Sequence, residues 1–388
     1  MENMKLDVKI KVILTLCVVL NVSFAIAVES DVIYVDDIDQ WRTEIFAGSA
    51  NAGGLLEGPA MEAGFSHGGS LCFMPSGEGY FANNGVIFYI SKEGTFRFFA
   101  GIPGIFGCQD GSVEQATLGR ELSICLDGKG GFYIGDRSNR CIRKLIKKGE
   151  QWVIVTIAGS FRRPEWKDKP VDGVGEEAVF RYLHSNVIAD ENGIAYVMDN
   201  NFLRRIHPDG RVETLNPQGG VGKPDDSPLD SARFNLIMGG GMCFGPDGCI
   251  YVADRWNHCI RRVDIKAKQV TIVVGPGSGY RDGPEKSCGF HDSPGYIVYD
   301  PYRKRFNTNG VDDWGLRVWQ NGEMRTIAGG NRKSDQYIEG PAKESRIGWC
   351  GVYAIHPLPP HEIYFWSGHG WKNRIGRLFK PADRKENR

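Results

Sequence analysis

Residues 249–275 read CIYVADRWNHCIRRVDIKAKQVTIVVG, and the fold is decided in this stretch. Two runs of strand-forming residues, 250–253 and 259–263, flank a turn that opens on Asp254 and closes on Asn257. Short Asp and Asn side chains hydrogen-bond the nearby backbone and tolerate the dihedrals such turns require. A further run, 270–274, stops at Gly275, and an earlier one, 242–244, ends at the turn Gly245-Pro246-Asp247-Gly248. Four short antiparallel strands in about 35 residues form one sheet. A single sheet of that size cannot bury both of its faces, so copies of it are required.

The copies are present. The fourth-strand run recurs at 44–48, 96–101, 156–159, 212–215, 271–275 and 326–329. Each is followed by an acidic turn: Glu57-Gly58, Asp110-Gly111, Asp172-Gly173, Asp225-Asp226, Asp282-Gly283 and Glu339-Gly340. Gly48 and Gly329 lie 281 residues apart over five intervals, about 56 per unit. Turns and β-runs alternating at that period exclude a helical solenoid, whose units would show a 3.6-residue period. The pattern predicts an all-β chain folded as a six-bladed β-propeller with four-stranded blades. Strand 43–48 has no first three strands before it, whereas 352–355, 362–366 and 373–378 have no fourth after them. An N-terminal strand completing the last blade would close the ring and remove its open edges.

The wording of the repeat resembles the NHL-repeat family of six-bladed propellers. Residues 251–262 (YVADRWNHCIRR) and 133–143 (YIGDRSNRCIR) carry the likeness, with a shortened copy in Tyr196 to Asp199 and Leu203 to Ile206. The other blades depart from it: Asn83 and Ser367 stand at the turn aspartate position. The likeness spans roughly residues 43–378. It implies a fold, and a fold that hosts receptors, scaffolds and enzymes alike.

Residues 1–27 read as a secretory signal peptide, with Lys5, Lys9 and Lys11 before the apolar run 12–22 and a small-x-small site at Ala25 to Ala27. The expected organisation is signal peptide 1–27, extended lead-in 28–42, propeller 43–380 and charged tail 381–388. A secreted or periplasmic protein without stable membrane insertion follows from that pattern. The 51 glycines and 19 prolines suit a turn-dense β protein. The 47 basic residues balance the 47 acidic ones, leaving no bulk field to attract nucleic acid. Nine cysteines remain beyond Cys17, an odd number. Cys72, Cys125 and Cys243 share one repeat position and Cys141 and Cys259 another, so most are expected as buried thiols, with Cys243 and Cys249 the nearest to a pair.

Function is expected on one face, where the loop leading into each first strand and the turn between the second and third strands emerge together. That face collects Trp256, Trp314, Trp349 and Trp371, with Trp166 in a long loop, and Arg120, Arg137, Arg255 and Tyr182. Rigid rings beside forked guanidinium donors suit a glycan, a peptide or another small ligand, and need no cofactor. The alternative is a metal-dependent lyase or hydrolase. His67, His184 and His291 lie in the approach loops of alternate blades, shortly after Phe65, Phe180 and Phe290, and could hold Zn²⁺ with an open position. In this the chain is similar to the peptidyl-hydroxyglycine amidating lyases; Tyr182 and Arg120 are the first candidates there for acid–base and electrostatic roles. Asp136, Asp199, Asp254 and Asp313 recur at one position and are expected to close turns rather than to catalyse.

Overall fold

The computed structural model describes residues 39–48, 54–66, 68–160, 170–183, 186–236, 239–277, 279–290, 294–310, 315–329, 338–347, 349–369 and 372–382. All belong to one unit, Tyr34–Arg388. Six antiparallel sheets follow one another along the chain. In the fourth, Met242–Phe244, Ile250–Asp254, Cys259–Asp264 and Gln269–Val274 are the strands expected from the opening stretch. Its turn winds into a 3-10 helix, Arg255–Asn257, followed by His258 in the left-handed region. The turn closes as its residue types dictate, with Asn257 Nδ2 donating to Asp254 Oδ2 at 2.9 Å. Among the described residues no helix is long and apolar enough to cross a membrane.

Each blade has five strands, not four. The residues after the acidic turns, Gly58–Pro59, Gly111–Ser112, Gly173–Val174, Ser227–Pro228, Gly283–Pro284 and Gly340–Pro341, pair with the fourth strand of the next blade. The chain therefore enters every blade at its rim, crosses to the centre and builds outward. Two-residue strands carry no period of their own, so turn and strand are indistinguishable by pattern alone.

The acidic residue of each turn has a mechanical role. The fourth strands bulge where pairing shifts register, as between Ile142/Arg143, Ile260/Arg261 and Leu316/Arg317. A carboxylate accepts the N–H ahead of each irregularity: Asp110 from Thr156 at 2.8 Å, Asp226 from Ile272 at 2.7 Å, Asp282 from Thr326 at 2.8 Å. Glu57 holds Phe98 and Glu339 holds Ile45 in the same way, at 2.5 and 2.6 Å. A bulge frees backbone groups from the ladder, and the carboxylate satisfies them. Gly111 follows with φ +150°, where a side chain is strained.

The first Arg of the repeat is the second clamp. Arg143, Arg204, Arg261 and Arg317 are fully buried. Arg143 donates to the carbonyls of Thr117 and Gln109 and to Asp110, at 2.6, 2.7 and 2.6 Å. Forked, delocalised guanidinium donors suit such a buried site better than a point charge. The first blade has Phe88 and the last has Gly376 at this position, by their place in the ladders.

Apolar residues gather in the gaps between blades, not at the centre. One cluster joins Tyr80, Ala82 and Ile87 to Ile124, Phe132 and Leu145 of the next blade. Five more occupy the successive gaps, the sixth uniting Ala47, Tyr364 and Ile375 with Phe81, Phe88 and Phe96. Second strands are sandwiched on both sides, and Gly79–Asn83, Phe132–Asp136, Ala195–Asp199 and Ile250–Asp254 are buried throughout. This explains why they read as continuous apolar runs rather than alternating ones. Strand Arg42–Ala47 pairs antiparallel with Lys372–Phe379, Thr43 opposite Leu378, and on its other side with Gly340–Pro341.

Candidate functional site

The first strands of the six blades, Ser70–Phe73, Leu122–Leu126, Ile188–Ala189, Met242–Phe244, Pro294–Asp300 and Trp349–Ile355, surround a central channel of about 930 Å³. Successive blades are stitched together at its wall. Ser70 Oγ accepts Ile124 N at 3.1 Å, Ser123 Oγ accepts Val187 N at 3.1 Å, and Asn186 exchanges two bonds with Met242. These side chains spend their hydrogen bonds on the ring. Cys72, Cys125 and Cys243 also line the bore. Burial pushes the Cys72 thiol up to about 12 and raises the other two well above the ordinary range. At neutral pH all three are protonated, small and neutral, so none serves as a thiolate nucleophile.

Charge enters at one mouth. Its floor is set by the turn aspartates, which tie each approach loop to the end of a second strand. Asp136 accepts Gly119 N at 3.0 Å, Asp254 accepts Asn235 N at 2.8 Å, and Asp199 accepts both Arg181 N and Tyr182 N, at 2.8 and 2.7 Å. All three are buried and act as turn closers, as expected. Asn83 does the same in the first blade, accepting Ser66 N at 3.1 Å, while Ser367 bonds the Ile347 carbonyl at 2.7 Å. In the fifth blade the second strand ends at Gly310, which occupies that position; Asp313 lies outside the described residues.

The loops so fixed bring several expected residues together. Arg120 and Arg137 line the channel. The Arg120 guanidinium sits 4.4 Å from the Phe106 ring centroid, and that of Arg137 sits 4.3 Å from Tyr182. Arg137 Nε is also 3.3 Å from Glu121 Oε2. Tyr296, 42% exposed, projects into the same space. Although its ring is partly exposed, the channel walls around it raise its phenol, and Arg137 and Arg255 act against that shift. Trp256 stands beside Arg255 on the 3-10 turn, 48% exposed. Cations over aromatic faces at Arg120 and Arg137 suit a planar or ring-bearing ligand with negative charge.

His67, His184 and His291 lie outside the described residues, as do Trp166, Trp314 and Trp371. Of Trp349 the structure describes the backbone, within strand Trp349–Ile355. The phenylalanines that precede the histidines are described: Phe65, Phe180 and Phe290 are all buried in gaps between blades. Among the lining residues that the sequence does not single out are Trp366 and Tyr296. Trp366 sits at the ladder position held by Ala82, Gly135 and Ala253 in other blades, and aligning the repeats by that position would have exposed it. Tyr296 follows no repeat signal. Cys243 and Cys249 are both free, with Cys249 Sγ directed at the Asp247 carbonyl.

Six five-stranded sheets around an open channel define a β-propeller. The NHL repeat model matches residues 240–263, the stretch on which the fold was read. The chain is an NHL-repeat six-bladed β-propeller. It is 24% identical over 214 residues to Teneurin-m of Drosophila melanogaster, covering 52% of this chain and 7% of that protein. It is 25% identical over 205 residues to NHL repeat-containing protein 2 of Bos taurus, covering 50% of this chain and 28% of the relative. The chain thus spans less than a third of the length of these relatives. Among solved structures, an auxiliary nutrient binding protein of Bacteroides thetaiotaomicron superposes with a TM-score of 0.59 at 18% identity, over 87% of this chain and 76% of that one. That likeness is one of fold.

Proposed function

We propose that the chain is a ligand-binding propeller that holds a glycan or a peptide at the mouth of its central channel. The observation that carries this reading is the cavity of about 930 Å³ with Arg120, Arg137 and Tyr296 on its lining and Tyr182 against Arg137. Among the described lining residues the guanidiniums of Arg120 and Arg137 outnumber the carboxylate of Glu121, which favours a ligand that carries a carboxylate, such as an acidic sugar or an acidic peptide. The name of the Bacteroides thetaiotaomicron propeller agrees with a binding role. The test is calorimetric titration of acidic oligosaccharides, neutral oligosaccharides and acidic peptides. Changing Arg137 and Trp256 together to Ala is expected to weaken the bound class at least about tenfold, roughly 1.4 kcal/mol. A folded double variant with unchanged affinity would remove the mouth from the reading.

The lyase or hydrolase reading depends on His67, His184 and His291 converging on Zn²⁺, and metal content separates it from the first. For a binding propeller, the protein purified without chelator is expected to retain less than one ion in ten chains. One tightly held zinc per chain, released by His184→Ala, would reverse the preference. We place the chain outside the cytoplasm on the pattern of residues 1–27, and N-terminal sequencing of the native protein would show whether it begins near residue 28.

A further inference from the structure

Cys108 and Cys141 meet across the second blade with their Sγ atoms 3.6 Å apart. Cys108 lies in the segment between the first blade's strand Thr95–Ala100 and the rim strand Gly111–Ser112, and Cys141 opens strand Cys141–Lys148. Their meeting is built in, because both neighbours of Cys108 are tied down. The Gly107 carbonyl accepts Asn139 Nδ2 at 2.7 Å, and Gly107 N donates to the Leu118 carbonyl at 3.2 Å. The Gln109 carbonyl accepts Arg143 at 2.7 Å, and Gln109 N donates to Thr117 Oγ1 at 3.0 Å. A disulfide spans about 2.05 Å, so the sulfurs need to close by roughly 1.5 Å, a displacement that side-chain rotation supplies.

The two thiols differ in a useful way. Cys141 is fully buried, whereas Cys108 is half-buried and open to a small reagent. The hydrogen bond from Cys141 lowers the Cys108 thiol below its ordinary range, and the Arg143 guanidinium adds to the effect. The same hydrogen bond, together with burial, raises Cys141. One thiol is thus prepared to attack and the other to resolve.

We propose that Cys108 and Cys141 are a redox-active dithiol that closes to an intramolecular disulfide by exchange with a low-molecular-weight disulfide. The Cys108 thiolate attacks one sulfur of the small disulfide, forming a mixed disulfide and expelling one small thiolate. Cys141 then attacks Cys108 Sγ, and its proton passes to the second small thiolate as that thiolate is expelled. The protein dithiol is oxidised by two electrons, and the small disulfide is reduced to two thiols. The bond joins residues 33 apart in sequence. It fastens to the third strand the segment that carries Phe106, the ring beneath Arg120 at the channel mouth.

The test treats the folded full chain with oxidised glutathione and maps the cysteines by mass spectrometry. The expected result is the loss of two free thiols, recovery of one peptide pair linking Cys108 to Cys141, and reversal by dithiothreitol. In Cys141→Ser, a stable glutathione adduct should accumulate on Cys108; in Cys108→Ser, Cys141 should remain unmodified. The wild-type map alone decides the matter if either variant misfolds. An unchanged thiol count, a persistent adduct on Cys108 of the wild type, or preferential linkage of Cys243 to Cys249 would overturn the proposal.

Discussion

A chain lacking residues 28–48 is expected to lose its cooperative unfolding transition, because the strand Arg42–Ala47 is held from both sides. It ladders with Lys372–Phe379 and with Gly340–Pro341, and Ile45 N is the bond that Glu339 was placed to make. Trp41 goes with it. That ring is 5% exposed, with the guanidiniums of Arg303 and Arg305 at 4.8 and 5.2 Å from its centroid. Removing a buried Trp costs about 3–5 kcal/mol by itself. Native domains hold only about 5–15 kcal/mol in total, so losing the ring, the ladder and Ala47 from the cluster with Tyr364 consumes most of it. Urea denaturation followed by circular dichroism is the measurement. A shortened chain with the parent's midpoint and slope would show that this strand does not hold the last blade.

The second large effect is expected from Arg204→Ala, at about 3–5 kcal/mol of stability near neutral pH. Arg204 donates to the carbonyls of Val179 and Val171 and to Asp172 and Asp199, at 3.1, 2.9, 3.2 and 2.8 Å. Asp199 is itself fully buried, and its carboxyl is held above the ordinary range by that burial, with Arg204 opposing the shift. Without the guanidinium it rises further. A carboxyl whose folded value exceeds its unfolded one keeps in the folded state a proton that the unfolded chain releases. Stability is then greatest below the unfolded value, near pH 3.9 on the ordinary scale, and is lost as pH rises through the folded value. The variant should therefore regain part of its deficit relative to wild type on acidification from pH 7 toward pH 4. Asp199→Asn in the same chain should flatten that dependence. A deficit that does not change with pH would mean that cavity formation, not the stranded carboxylate, accounts for the loss.

The legible part of this molecule was its local chemistry. Asp254 and Asn257 close a turn wherever they occur at that spacing, and their recurrence at Asp136 and Asn139 told of a second blade without any tertiary information. The strand at residues 43–48 was legible as a surplus at one end matched by a deficit at the other. What stayed hidden depends on neighbours remote in sequence. Gly111–Ser112 is a strand only because Val153 and Ile154 of the same blade run past it. Tyr296 belongs to the channel wall only because the first strand of the fifth blade carries it there beside residues of other blades. Arg120 and Arg137 line the channel and Tyr182 lies against Arg137, because repeat aspartates pin the loops that carry them. The odd Trp366 was not legible, because its repeat position reads as small in Ala82, Gly135 and Ala253.

The placement of the apolar clusters between blades has a consequence for how such a chain can change over time. Fold stability is vested in the six wedges, in the Arg and Asp clamps and in the bonds that stitch neighbouring blades at the channel wall. Arg120, Arg137 and Tyr296 line the lumen and belong to none of these wedges, so they are freer to change than the second strands behind them, where every position is buried. A lineage can rewrite what the channel accepts, residue by residue, while the frame around it is inherited intact.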